Sequence, residues 1–360
     1  MRARPHSSAF GILLIDKPAG PTSHDIVGWV RWALGERAVG HCGTLDPAAT
    51  GLLVVCVGPA TKLVEHLTAV DKRYLARFVL GRSTTTADAE GETIAETPIP
   101  AERLDELLTR ANAALADLVG PLELAPPAFS AIKVDGKRAH ALARAGEAPE
   151  LPPRPMTVER LVVTGTGGGG SGDGDGDTGW LDADLTVSKG TYVRSLAQEL
   201  GRRLGLPAHL GALRRLACGT LTLDDPLALT GLRANALPPI EGRPPRWRVE
   251  LDPADRERTG AALLERMAAP WARLPFHVSE LSGPDHLPAL ERFFQGQRLR
   301  ADPQTCASLG LPDDPGEGLY AVVDPALGRM VIVRREPDQR GSERLAPDRV
   351  LRFEPRASDS

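Results

Sequence analysis

The residues with the clearest chemical potential lie in the glycine-rich segment GHCGTLDPAATG, residues 40–51. This segment contains a single carboxylate, Asp46, directly before Pro47. A proline disfavours the helical conformation for the residue before it, and glycines allow sharp turns and close approaches. We therefore expect a rigid loop that presents one carboxylate, a group that can act as a covalent catalyst. A plain turn-forming aspartate is the alternative for such an Asp–Pro pair.

Tyr74 and Arg194 are two further candidates, each on a predicted element. Residues 72–81 alternate between apolar and polar side chains, which predicts a strand with Tyr74 on its apolar face. Arg194 falls in the first turn of a helix that we expect Thr191 to cap. A cation there opposes the helix dipole by about 0.3–1 kcal/mol unless a carboxylate lies nearby, and such a partner would have its pKa lowered. A core tyrosine and a solvent-exposed arginine are the alternatives.

The remaining pattern predicts the strands and helices that must position these groups. Short apolar runs predict strands, and helical periodicity bounded by capping residues predicts helices. The predicted elements are a strand at 12–15, a helix from Thr22 or Ser23 to Gly35, a loop at 36–51, a strand at 52–57, helices at 59–70 and 100–118, a hairpin of 155–164 with 180–188, a helix ending near Leu204, a strand at 212–223, and short strands at 320–324 and 329–336. Residues 164–179, TGTGGGGSGDGDGDTG, predict a flexible loop.

The composition indicates a globular protein with more than one domain. The chain has 360 residues, of which 42% are hydrophobic and 25% are charged, and this excludes a fibrous or wholly disordered protein. Its four cysteines lack the paired spacing of a zinc site or a disulfide framework. The sequence contains no Walker loop, GxSxG or HExxH motif. No stretch approaches the roughly 20 apolar residues of a membrane helix, so we expect a cytoplasmic protein without a metal.

Five motifs, in order along residues 10–230, are similar to those of the TruB family of tRNA pseudouridine synthases. They are LLIDKPAGPTSHDIV (13–27), GHCGTLDPAATG (40–51), DKRYLA (71–76), SKGTYVRSLAQELG (188–201) and LRRLACG (213–219). The resemblance implies an isomerase that converts a uridine of the tRNA T-loop, tRNA position 55, into pseudouridine. The reaction breaks the N1–C1′ bond, turns the base and rejoins it through C5. Because nothing is oxidised and no group is consumed, no cofactor is expected.

The resemblance also implies an architecture. The family fold is a mixed α/β (α+β) pseudouridine synthase core, in which helices flank a large, mostly antiparallel sheet. A small C-terminal β-rich domain of the PUA type, which binds RNA, follows that core. On this basis we expect a catalytic domain at 10–235, a linker with one helix at 236–274, and a PUA-like domain at 275–354.

The resemblance implies roles for individual residues. Asp46 matches the catalytic aspartate, Tyr74 matches the tyrosine that packs on the target base and is proposed to handle a proton, and Arg194 matches the arginine that pairs with the aspartate. His41 matches a histidine that helps the RNA loop to rearrange when the uridine flips out. Three more positions match residues close to that pocket, namely Lys17, Tyr192 and Leu213. The chain departs from the family at His140, where members often have tyrosine.

Local basic patches must hold the RNA, because the formal net charge of the chain is −4. Residues 131–144 form a predicted loop and helix in which we expect Lys133, Lys137 and Arg138 to contact phosphates. A second basic cluster is predicted at Arg202, Arg203, Arg214 and Arg215. Much of the acidic charge is expected elsewhere, at 88–106 and 173–184.

We therefore expect a stand-alone enzyme that binds the T-loop and acceptor arm of tRNA and works as a monomer without a required protein partner. Two alternatives remain open. A guide-RNA-dependent synthase of the dyskerin type shares the aspartate loop, although the short N-terminus and the 131–150 insertion favour the stand-alone type. The other alternative is a non-catalytic RNA chaperone on the same fold, against which the combination of Asp46, Tyr74 and Arg194 argues.

Overall fold

The structure is a computed structural model of the 360-residue chain. It describes residues 9–130, 132–134, 136–147, 149–168, 178–240, 245–252, 255–312, 318–337 and 342–355. Within these ranges the chain forms twenty strands, eight α-helices and two short 3₁₀ helices, the latter at Gly58–Leu63 and Trp271–Arg273.

The elements are numbered in chain order. The strands are β1 (Gly11–Lys17), β2 (Val39–His41), β3 (Thr50–Val57), β4 (Lys72–Leu80), β5 (Arg82–Thr84), β6 (Thr93–Glu96), β7 (Gly120–Leu124), β8 (Lys133–Val134), β9 (Lys137–Arg138), β10 (Arg154–Gly168), β11 (Gly179–Val187), β12 (Ala208–Cys218), β13 (Leu221–Thr222), β14 (Arg233–Ala236), β15 (Trp247–Glu250), β16 (Val278–Glu280), β17 (Leu299–Arg300), β18 (Gly318–Asp324), β19 (Arg329–Pro337) and β20 (Glu343–Arg352). The α-helices are α1 (Ser23–Leu34), α2 (Val64–Thr68), α3 (Ala101–Ala116), α4 (Ala139–Arg144), α5 (Val193–Leu204), α6 (Arg256–Glu265), α7 (Leu287–Phe294) and α8 (Pro303–Ser308). None of the helices in the described part of the chain is long and apolar enough to cross a membrane.

A large sheet forms the centre of the molecule, with the strand order β1-β3-β12-β4-β11-β10-β7; β2 also pairs with β3, and β13 with β12. Neighbouring strands of this sheet run antiparallel except β12 and β3, which are parallel through Arg214↔Thr50 and Arg215↔Gly51. On its other side, β12 pairs antiparallel with β4, where Arg215 faces Tyr74. The late strand β12 therefore lies between two early strands and brings its side chains beside Tyr74 and the loop before β3.

Helices cover the large sheet and fix the direction of the loops at its edge. Helix α1 begins with a capping box in which Thr22 and Asp25 bond each other's backbone N–H. It ends at Gly35, whose φ of 68° is the left-handed conformation that favours glycine. Its apolar face packs on β1 and β3 through Ile26 and Val30. Helices α3 and α5 cover the other half of the sheet.

A second, five-stranded sheet in the order β16-β18-β19-β20-β17 shares a hydrophobic core with the large one. That core joins Ile12 and Leu14 of β1 to Ile332 and Leu351 of the second sheet, all of them 0–1% exposed. The predicted fold class is therefore confirmed: a mixed α/β core around a large, mostly antiparallel sheet, followed by a β-rich unit. That this unit is PUA-like stays a prediction.

Residues 245–252 and 255–274, part of the predicted linker, pack on the large sheet. Helix α6, the predicted helix of this segment, buries Leu263 against α1 and its neighbours. Beyond it, Ala268 exchanges two backbone hydrogen bonds with Ile12 of β1, at 2.9 and 3.0 Å. This part of the chain thus extends the catalytic sheet's own core, and the domain boundaries at 235 and 274 stay predictions.

Local differences from the sequence expectation have physical causes. Strand β10 continues to Gly168, so the predicted loop does not begin at 164; the indole of Trp180 on β11 lies against Gly167, where a Cβ would come within 2.6 Å of it. The rest of that loop, 169–177, lies outside the described residues. Helix α5 begins after Tyr192 rather than after a Thr191 cap, and the Thr191 hydroxyl lies 3.3 Å from that of Ser188.

Candidate active site

The catalytic candidates Asp46 and Arg194 meet in a side-on ion pair, 148 positions apart in the chain. Arg194 Nε lies 3.2 Å from one carboxylate oxygen of Asp46 and Nη2 lies 3.3 Å from the other. The arginine side chain is only 6% exposed, whereas that of the aspartate is 37% exposed. The guanidinium is therefore a fixed part of the wall, and the carboxylate remains accessible at its surface.

Arg194 is held by three more groups, from two further segments. Its Nη1 donates to the carbonyl of Thr86 at 3.0 Å, and Nη2 donates to that of Phe129 at 2.9 Å. A second carboxylate, Asp88, lies 3.5 Å from Nη1 and is 12% exposed. Sequence reasoning missed Asp88, because it assigned the acidic residues after 88 to a surface away from the site. The turn between β5 and β6 instead places this carboxylate beside Arg194, at the N-terminus of helix α5.

The pKa of Asp46 is raised, not lowered as expected from its pairing with Arg194. Burial of the carboxyl is the largest cause, and the negative charge of Asp88 adds to it. Arg194 and Lys17 act in the opposite direction without overcoming burial. The site thus holds a carboxylate whose charge is destabilised by its surroundings, as suits a group that reacts rather than one that only pairs.

Lys17 holds the loop that carries Asp46, and its predicted role in binding the RNA substrate near the pocket stays a prediction. Its side chain is fully buried and donates to the carbonyls of Pro18, Pro47 and Ala49 at 2.7–2.9 Å. Burial lowers the pKa of Lys17 to about 8. Its three N–H groups are satisfied by the carbonyl of the adjacent Pro18 and by those of Pro47 and Ala49, just after Asp46, so Lys17 is a positioning residue.

Arg215 supports the same loop from β12, although the sequence placed it in a surface cluster. The side chain is 1% exposed and donates to the carbonyls of Leu52 at 2.7 Å and Gly43 at 3.1 Å. Gly51 makes this approach possible: its φ is +97°, and a Cβ there would lie 2.2 Å from the Arg215 carbonyl oxygen. The glycine found in the motif is required by the neighbouring strand.

Tyr74 lies beside Arg215 and is 7% exposed, with its strand neighbours as predicted. Burial raises the pKa of its phenol, while a hydrogen bond and the charge of Arg215 partly oppose this effect. The tyrosine is therefore a neutral hydroxyl at neutral pH. Leu213, two residues before Arg215, pairs with Ala76 of β4 and packs, half-buried, on the main core.

His41 and Tyr192 lie on either side of these groups. His41 is half-buried on β2, with its ring 5.1 Å from that of His24 in a perpendicular arrangement. Burial, His24 and Arg215 together lower the pKa of His41 to about 4, so the ring is neutral at neutral pH. Tyr192, the residue before α5, is half-buried, and burial raises its pKa.

The structure describes the side chains of one of the two predicted basic clusters but not those of the other. Lys133, Lys137 and Arg138 lie on the paired strands β8 and β9, but their side chains fall outside the described part, so their phosphate contacts stay predictions. In the second predicted basic cluster, in α5 and β12, Arg215 is buried and the other three arginines form ion pairs. Arg202 and Arg203 both pair with Glu199, and Arg214 pairs with Asp16 at 2.8 Å.

Comparison with known proteins identifies the family of the chain. Residues 31–193 match the family model described as TruB family pseudouridylate synthase, N-terminal domain. tRNA pseudouridine synthase B of Thermobifida fusca is 48% identical over 226 residues, which cover 63% of this chain and 75% of that protein. The protein of the same name from Corynebacterium aurimucosum is 47% identical over 222 residues, 62% of this chain and 71% of that protein.

A solved structure is similar over nearly the whole chain. A chain from an H/ACA RNP bound to a substrate RNA containing 2′-deoxyuridine covers 98% of this chain and 88% of its own, with a TM-score of 0.54 and 20% identity, which supports the fold alone. The chain belongs to the TruB family of pseudouridylate synthases. It is therefore an isomerase that forms pseudouridine from uridine.

Proposed function

We propose that this protein converts the uridine at position 55 in the T-loop of tRNA into pseudouridine, on tRNA alone and without a cofactor. The observation that carries the proposal is the accessible Asp46 carboxylate held side-on by buried Arg194. Relatives that share 47–48% identity are named tRNA pseudouridine synthase B. The fold neighbour in an H/ACA RNP is far more distant, at 20% identity, which makes the guide-RNA-dependent alternative the weaker one.

In this proposal the target uridine leaves the RNA stack and enters the cleft beside Asp46. Unstacking costs a few kcal/mol, which contacts with the RNA backbone and loop offset. The Asp46 carboxylate then acts as covalent catalyst: it bonds transiently to the nucleoside while the N1–C1′ bond breaks and the C5–C1′ bond forms, and it is released unchanged. The proton lost from C5 is balanced by one gained at N1. Its raised pKa means that the anion is poorly stabilised before reaction, which increases its readiness to form a bond.

The neighbouring residues supply orientation. Arg194 fixes the carboxylate through two nearly parallel contacts, a geometry that the ammonium group of a lysine does not reproduce. Tyr74, a largely buried neutral phenol beside Arg215, packs against the turning base. His41 is neutral at neutral pH because of its lowered pKa, so it supports the rearranged RNA loop through its ring rather than by attracting phosphate.

The test is conversion of a bare tRNA transcript. Purified protein and unmodified tRNA should suffice for pseudouridine at position 55, mapped by carbodiimide-induced reverse-transcription stops. A transcript with cytidine at that position is the matched control and should give no stop. If the bare transcript stays unmodified but a guide RNA with partner proteins restores the reaction, the dyskerin-type alternative is correct. Tight binding with no conversion under either condition would support the RNA chaperone.

A further inference from the structure

A groove of about 520 Å³ lies between helix α1 and strand β15, outside the residues assigned to the catalytic cleft. Three tryptophans line it: Trp29 and Trp32 from α1, and Trp247 from β15. Trp32 is 47% exposed although it is one of the largest apolar side chains of the protein. We call this site the tryptophan groove. Its indole faces offer the kind of surface on which flat aromatic rings stack.

Space is left open in the groove by a glycine. Gly28 directly precedes Trp29 and lies one helical turn before Trp32, and a Cβ built on it would meet no heavy atom within 4 Å. An alanine there would therefore leave the groove open, whereas a longer side chain would fill it.

The charges at the rim favour a neutral occupant over a phosphate. Asp25 and Glu250 both line the groove, while the exposed Arg248 is the basic residue of the lining. Asp25 belongs to the capping box of α1, and Glu250 accepts a hydrogen bond from Asn235 at 3.1 Å. Two carboxylates against one guanidinium disfavour a phosphodiester, whereas a nucleobase has a neutral ring and edge N–H groups that carboxylates can accept.

The groove adjoins the loop that carries Asp46. The Trp247 indole lies so close to Gly20 that a Cβ there would come within 2.6 Å of it. The Gly20 N–H in turn donates to the carbonyl of Pro47 at 2.9 Å. On the other flank, the ring of His24, which lines the groove, lies 5.1 Å from that of His41. An RNA segment that enters the cleft can therefore continue into the groove.

We propose that the tryptophan groove binds one unstacked nucleobase of the RNA substrate, near in the chain to the uridine that reacts. This inference rests on the proposed function, since the occupant is part of the same RNA. Bases that have left a loop stack readily on aromatic side chains, and such stacking tolerates different bases because every base has a π-face. The groove then holds open the RNA loop whose uridine enters the cleft.

The first experiment measures equilibrium binding of an unmodified tRNA transcript to the full chain over a range of salt concentrations. Trp32→Ala removes an exposed stacking face, and Gly28→Leu fills the groove. Each should weaken binding by about five- to a hundredfold, the range for loss of one base–aromatic stack. The slope of log K against log salt should not change, because no phosphate contact is lost. Gly28→Ala, which leaves the groove open, and Leu264→Ala, which removes another exposed apolar residue (53% exposed) from α6, should bind within twofold of wild type.

The second experiment identifies the base. A set of RNA stem–loops with the T-arm sequence is prepared, each with one abasic nucleotide at a different loop position. Their binding to wild type and to Trp32→Ala is measured. When the abasic nucleotide is at the position that occupies the groove, the RNA should bind wild type more weakly than the intact RNA does. The same RNA should bind Trp32→Ala with the affinity that this variant has for the intact RNA. The proposal would be overturned if Trp32→Ala and Gly28→Leu both bound tRNA with wild-type affinity. It would also be overturned if every abasic RNA lost as much affinity for Trp32→Ala as it does for wild type. Because these readouts are affinities, they separate it from the proposed function, which fails only if wild type leaves bare tRNA unmodified.

Discussion

The loop around Asp46 and the seam between the two sheets are held by opposite kinds of contact. The loop is fixed by buried cations that donate to backbone carbonyls, Lys17 from β1 and Arg215 from β12. The seam is fixed by apolar packing, in which the rings of Phe10 and Phe353 stack at 4.3 Å and Trp271 lies 5.3 Å from Phe353. The Asp46 loop thus depends on buried charge, whereas the buried part of the seam depends on apolar contact and its ion pairs, such as Arg349–Glu65, lie at the exposed edge.

The difference shows what each region has to achieve. Apolar contacts are non-directional and give free energy in proportion to the area that they bury. Hydrogen bonds from a buried ammonium or guanidinium add less net free energy, but they fix single atoms in direction and distance. Because Lys17 and Arg215 bond carbonyls, they place the loop without taking up the Asp46 carboxylate. The contrast predicts that the seam is sensitive to lost volume, and the loop to lost donors and to pH.

The largest effect is expected at Asp46 itself. Asp46→Asn should abolish pseudouridine formation, because the amide is nearly isosteric but is neutral and a poor nucleophile. Affinity for tRNA should change by less than about tenfold, or 1.4 kcal/mol. The paired measurement is filter binding together with tritium release from 5-tritiated uridine. Asp182→Asn, in a half-exposed pair with Arg77 on the same sheet, is the control and should retain activity. Tritium release by Asp46→Asn would remove this residue from the essential role.

Loss of volume at the seam should produce the next largest effect. Leu351 is fully buried in the core shared by the two sheets. Leu351→Ala should reduce the free energy of unfolding by about 2–5 kcal/mol, with little dependence on pH, because the cost is lost transfer free energy and a cavity. Urea unfolding measures it, and Leu327→Ala, at a residue that is 46% exposed, is the control. An equal loss in both variants would show that the shared core contributes little.

Replacing Lys17 with methionine keeps most of the volume but leaves three carbonyls without their donor. We expect Lys17→Met to reduce the free energy of unfolding by about 1–3 kcal/mol and to slow turnover, because the loop loses its anchor. The pKa of Lys17 is lowered to about 8 in the folded chain from an ordinary 10.5. Between these values the unfolded state binds more protons, so stability from this group rises with pH.

The gap between wild type and Lys17→Met should therefore widen from pH 7 to pH 9.5 in urea unfolding. Groups that titrate equally in both proteins cancel in this difference. A gap that stays constant or narrows would show that Lys17 is not buried as a depressed ammonium.

The smallest effect concerns the pH profile. The charge of Asp88 contributes to the raised pKa of Asp46. Asp88→Asn removes that charge, so the pKa of Asp46 should fall and the acid limb of the single-turnover rate should move to lower pH. The profile of Asp182→Asn should superimpose on that of wild type. A shift of the limb to higher pH in Asp88→Asn would mean that Asp88 acts mainly by holding Arg194.

Much of the fold could be predicted because its elements are locally consistent. The apolar runs of β1 and β3, the alternation of β4 and the capping of α1 all appear in the sequence with nearly their observed bounds. The pairing of Arg194 with a carboxylate also followed from its position in the first turn of a helix. Local signals were sufficient where propensity and tertiary packing agree.

The parts of the site that were missed depend on tertiary pairing. Asp88 has ordinary neighbours, and only the folded sheet shows that it lies beside Arg194. Lys17 was expected near the pocket, but only the folded sheet shows that it donates to the backbone of the Asp46 loop. Arg215 could have been found, because successive strand residues point to opposite faces, so that Arg214 and Arg215 cannot both be exposed on one face. The extension of β10 into glycines depends on Trp180 from the partner strand.

The position of β12 in the large sheet affects how the protein folds during its synthesis. Arg215 lies 163 positions after Leu52, and β12 fills the space between β3 and β4. During synthesis these two strands emerge long before the strand that joins them, so each presents an open edge to the cell. Non-local pairing of this kind slows folding and prolongs the exposure of such edges. The loop that carries Asp46 cannot be fixed until the ribosome has translated β12. The unpaired edges of β3 and β4 should therefore need protection by chaperones mainly before that point.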